Sequence, residues 1–196
     1  MKLDCPVVAL NSIPTDHTVK MTTYISVQWI TYRFSNQETK TMSKPRSYRL
    51  VDPNSAEAYR DLLTGLFTVA TSCSVVVQDN FQLTGSGMRF LRQAQNWLVE
   101  KTRVSEWPGT RLTNGKKADL FRFRTCPELL VEFLTHTHSF SDWTAPHLPE
   151  DPAFYRADGS LLLGSVIHEG DVFLKLTDEE LTALRKAAPT ATLENE

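Results

Sequence analysis

Tyr59, Leu62, Leu63, Leu66, Phe67 and Ala70 recur at spacings of three and four, which gathers them on one stripe of a helix. Asp52-Pro53 supplies its start, with Asp52 as N-cap and Pro53 at the first helical position, where a missing N–H costs nothing. Phe90, Leu91, Ala94, Trp97 and Leu98 predict a second amphipathic helix, entered from the turn Thr84-Gly85-Ser86-Gly87 and ending near Lys101. Leu129, Leu130, Phe133 and Leu134 mark a third, behind the cap-and-proline signature of Thr125, Pro127 and Glu128, with its end near His138. Thr177 and Glu180 form a capping box, so a last helix covers roughly 178–187.

Between these lie segments of strand character. Residues 22–34 (TTYISVQWITYRF) are rich in β-branched and aromatic side chains and form a hairpin with 47–51 (SYRLV) across a long polar loop; a short strand is expected at 6–10. CSVVVQ at 73–78 reads as a buried strand, because consecutive valines are stiff at χ1 and suit a pleated surface. Asn114-Gly115 supplies positive φ angles and predicts a hairpin joining 111–113 to 120–123. The runs at 153–156, 161–168 and 172–176, separated by turns, read as an antiparallel meander. Hairpin-length links favour antiparallel pairing. The expected fold class is α+β: a mostly antiparallel sheet with about four helices, one domain over 1–189 and a frayed tail at 190–196.

Composition narrows the picture. The 196 residues are 41% hydrophobic and 22% charged, enough for one globular core. A net charge of −2 argues against a general nucleic-acid binder. No apolar stretch reaches the roughly 18 to 20 residues of a membrane span, and Asp4 interrupts the start, so no membrane partner and a cytoplasmic location are expected. Cys5, Cys73 and Cys126 include no C-x-x-C pair, which indicates neither a disulfide framework nor a cysteine zinc site. Charge is unevenly spread, with 17 basic against 12 acidic residues over 1–139 and 2 against 9 over 140–180.

Several constellations invite chemistry. His136-Thr137-His138, with Asp142 and His147 nearby, has a metal reading, but residues two apart on a helix point about 200° from each other. An extended segment would reverse that argument. On the helical reading the histidines are solvated at a helix end, favoured by its dipole, and neither a metal nor a cofactor is expected. His168, Glu169 and Asp171 flank Gly170 at a turn; the alternative to a plain polar turn is a small metal-dependent or acid/base enzyme using those three groups. Thr84-Gly85-Ser86-Gly87 lacks the lysine and spacing of a P-loop and reads as helix entry. A helix start would lower the thiol pKa of Cys126, but a structural role is the favoured reading for it and for Cys73. Trp107 and Trp143 fall in predicted loops, as half-buried anchors or as interface anchors.

Ser105-Glu106-Trp107-Pro108-Gly109-Thr110-Arg111, Leu148-Pro149-Glu150-Asp151-Pro152-Ala153-Phe154 and Val166-Ile167-His168-Glu169-Gly170-Asp171 resemble a group of uncharacterised bacterial proteins, similar in kind to the immunity proteins of toxin systems. That resemblance implies a non-enzymatic inhibitor that sequesters a cognate toxin. The expected function is accordingly a protein-binding module that holds a protein partner, such as a basic toxin domain, through an acidic surface. Its residues would be Asp142, Trp143, Glu150, Asp151, Asp158, Glu169 and Asp171.

Overall fold

A computed structural model describes residues 43–51 and 55–196, all within the unit Thr41–Glu196. The strands expected at 6–10 and 22–34, Asp52-Pro53 and Cys5 lie outside the described residues. Strand β1 (Arg46–Val51) is followed by helix α1 (Ala56–Val69). The residue capping α1 is Ser55, whose Oγ accepts the Ala58 N–H at 3.4 Å, so helical hydrogen bonding starts beyond the Asp52-Pro53 pair. Tyr59, Leu62, Leu63, Leu66 and Phe67 are buried, as their spacing requires. Strand β2 (Ser72–Gln78) carries the valine run.

Helix α2 (Gly85–Ala94) ends well before Lys101. Gln95–Trp97 tightens into a 3₁₀ turn and strand β3 (Leu98–Val104) follows, so Trp97 and Leu98 continue the apolar spacing without continuing the helix. Val99, Thr102 and Val104 are β-branched, and this local preference accounts for the switch. A short ribbon of β4 (Glu106–Trp107) and β5 (Thr110–Arg111) precedes β6 (Ala118–Arg124). Asn114 and Gly115 do adopt φ of 58° and 72°, but the predicted hairpin is replaced: Arg111 pairs with Glu106, and β6 pairs with β2 and β3.

Helix α3 (Pro127–His136) is capped by Cys126 rather than Thr125, and it stops two residues before His138, with Thr137 extended at φ −136°, ψ 148°. Strands β7 (Glu150–Tyr155), β8 (Leu161–Val166) and β9 (Asp171–Leu176) form the antiparallel meander. Helix α4 (Asp178–Ala187) carries the Thr177/Glu180 capping box. Where a frayed tail was expected, β10 (Thr192–Asn195) pairs with β1.

The fold is α+β, with a sheet in the order β10-β1-β9-β8-β7-β2-β6-β3 and every described pairing antiparallel. Neighbouring strand residues point to opposite faces. Cys73, Val75 and Phe123 accordingly join the core that receives all four helices, while Val76, Ala118 and Leu120 face the other way and are covered by Trp107. Among the described residues no helix is long and apolar enough to cross a membrane.

Candidate functional site

The seven residues expected to form an acidic docking surface do not form one. Trp143 is fully buried; its indole Nε1 donates to Tyr59 Oη at 3.0 Å, and its ring lies 4.7 Å from Phe133 and 5.1 Å from Phe90. Glu150 and Asp151 are buried too. Glu150 accepts from Gln78 Nε2 at 2.9 Å, while Asp151, at φ +51°, accepts from Trp107 Nε1 and the Ile167 N–H, both at 2.8 Å. Burial pushes both carboxyls above the ordinary range. Asp158 is exposed in the turn before β8 and Glu169 in the turn after it, on the order of 20 Å apart along that strand. Asp171 is occupied by Arg49, whose Nε lies 3.0 Å from its carboxylate.

Of His168, Glu169 and Asp171, the first two meet on one turn while Asp171 pairs with Arg49. His168 and Glu169 are exposed on a 3₁₀ turn that Gly170 ends at φ +69°, and the imidazole lies 3.7 Å from the Glu169 carboxylate. Cys73 and Cys126 are buried, and burial pushes both thiols up, against the lowering that a helix start alone would give Cys126.

The sixth acidic residue, Asp142, lies elsewhere, in a cleft of about 410 Å³ where α2 begins and α3 ends. Ser86 of α2 and His136 of α3 form two of its walls. The connecting segment 138–148 forms the rest, with His138, Ser141, Asp142, Thr144, His147 and Leu148. The early stop of α3 makes this arrangement. With Thr137 extended, His138 leaves the helix and both imidazoles can line one space, the case in which the 200° objection lapses.

The segment is fixed at both ends. Asp142 Oδ2 accepts the N–H groups of His138 at 2.6 Å and Ser139 at 3.0 Å, a capping box around the 3₁₀ turn Phe140–Asp142. Phe140, Trp143 and Leu148 drop into the core beside it. At the far end, the Thr84 N–H donates to Pro146 O at 2.8 Å and Ser86 Oγ donates to His147 O at 2.7 Å. Gly87 allows this close approach, since a Cβ there would lie 3.0 Å from His147 O and press the segment outward.

His136 is the most enclosed imidazole. Its Nε2 is 2.9 Å from Gln93 Oε1 and 3.9 Å from Glu132 Oε2, with Phe90 edge-on at 5.7 Å. Burial pulls its pKa below the ordinary value, with Arg89 acting in the same direction and Glu132 against it. The cleft holds hydrogen-bonding groups rather than an assembled catalytic set: Ser86 Oγ is engaged by a carbonyl, not by an imidazole base. Nor do the donors converge on a point, since among the described residues no three His, Cys, Asp or Glu side chains group closely enough to hold a metal ion. The sequence had flagged His136, His138, Asp142 and His147 together and Ser86 only within a helix-entry turn; Ser141 and Thr144 carried no signal, because loop closure alone brings them in. No family model, no curated protein and no solved structure matches the chain.

Proposed function

We propose that the protein is a non-enzymatic binding module and that it takes its ligand into the cleft between α2, α3 and the 138–148 segment. The observation that carries this reading is that three imidazoles, one carboxylate and three hydroxyls line the same space of about 410 Å³. That volume lies within the range of small-ligand sites, and a few polar groups directed at one space are their usual equipment. The absence of an activated nucleophile around the cleft argues for binding over turnover. The resemblance to immunity proteins fits at the same level, as a protein whose work is to hold something. Whether the ligand is free or a projecting part of a protein partner, the same groups would meet it.

The test is a fragment screen against the full chain, read by NMR at the imidazole resonances. Fragments are expected to shift His136, His138 and His147 together and to leave His168, on its separate turn, unchanged. Hits that shift His168 alone, or none that shift the three, would reject the cleft as the site.

A further inference from the structure

The lining of the cleft has a sign. Among the described residues it contains one carboxylate and neither Lys nor Arg. Both hydrogen bonds to Asp142 fall on Oδ2, and among the described residues Oδ1 accepts none. Each imidazole ring and the hydroxyls of Ser141 and Thr144 can accept as well as donate a hydrogen bond. With the Asp142 carboxylate as the charge among the described lining residues, the space favours a cation that donates to these groups. The acceptors are also spread out, since they do not group closely enough for a metal ion. A point charge such as a divalent metal or an ammonium needs convergent donors, whereas a planar guanidinium presents five N–H groups in a fixed fork and can reach separated acceptors at once.

We infer, resting on the cleft being the binding site, that its ligand group is a guanidinium, with Asp142 as the charged partner and the hydroxyls and imidazoles of the 138–148 segment as neutral acceptors. The group belongs to an arginine side chain or to a free small guanidine; both present the same fork.

The experiment is an NMR titration of the full chain, with labelled imidazoles, using N-acetyl-arginine methylamide, free agmatine, butylamine, acetate and inorganic phosphate as separate probes. A guanidinium site gives saturable shifts at His138 and His147 with a guanidine probe, weakening at least about tenfold in Asp142→Asn, the loss of one charge-assisted contact. Tighter binding of the methylamide identifies a peptide-borne arginine, and tighter binding of agmatine a free guanidine. Equal binding of butylamine, or an unchanged affinity in Asp142→Asn, overturns the guanidinium assignment. If acetate or phosphate shifts the imidazoles and the guanidines do not, the cleft stands as a site and the cation inference falls; if no probe shifts them and the fragment screen is also empty, both fall.

Discussion

Trp143 and Glu180 carry the two residue-scale predictions. Trp143 has no exposed surface, and its N–H is held by Tyr59, so truncating it removes core volume rather than a docking anchor. Trp143→Ala is expected to cost about 3–5 kcal/mol in urea unfolding, and a change under about 0.5 kcal/mol would contradict its place in the core. At Glu180, burial opposes ionisation, but the Arg156 guanidinium at 2.6 and 2.7 Å and the Thr177 N–H at 2.8 Å hold the carboxyl below its ordinary value. A folded-state pKa below the unfolded one gives stability that is present above the unfolded value and lost as pH falls through the folded one. Glu180→Gln is expected to cost about 2 kcal/mol at pH 7. That penalty should shrink as pH drops below about 4, where the unfolded carboxyl is already protonated. A pH-independent penalty would mean the ion pair is not its source.

At the scale of elements, the sequence was most legible where one local device decides the outcome. The Thr177/Glu180 box starts α4 where the motif places it, and Thr177→Ala is expected to cost about 1 kcal/mol in thermal unfolding, with no loss if the cap bond is not made. The valine run and the Gly159 and Gly170 turns likewise mark strands and their ends. The illegible elements are those whose pattern is ambiguous or whose partner is distant. β3 is an edge strand with most residues exposed, so it shows no clean alternation, and Trp97-Leu98 lets a helical spacing run on into it. β10 exists because β1 offers it an edge. The end of α3 mattered most: a two-residue difference, between His138 and His136, separates a solvated helix terminus from a histidine-lined cleft.

For the whole molecule, charge summed along the chain did not become charge on one surface. The 140–180 segment is acidic in sequence, but it crosses the sheet three times, so its carboxylates are divided between buried hydrogen bonds, ion pairs with Arg46, Arg49 and Arg156, the cleft, and turns at opposite ends of β8. A double variant Asp158→Ala with Glu169→Ala removes two exposed carboxylates from outside the cleft, and ligand affinity at moderate salt is expected to stay within about twofold, because exposed charges at such distances are screened. A large loss would restore the acidic-surface reading. The central claim is narrower than that surface: the ligand sits in the cleft. Thr144 is exposed on its rim, so Thr144→Trp fills the space without disturbing the core. The decisive measurement compares the unmodified chain and Thr144→Trp in parallel titrations with the strongest fragment, alongside their melting temperatures. The account predicts an unchanged melting temperature and loss of the His138 and His147 response; an equal response in the filled variant would contradict it.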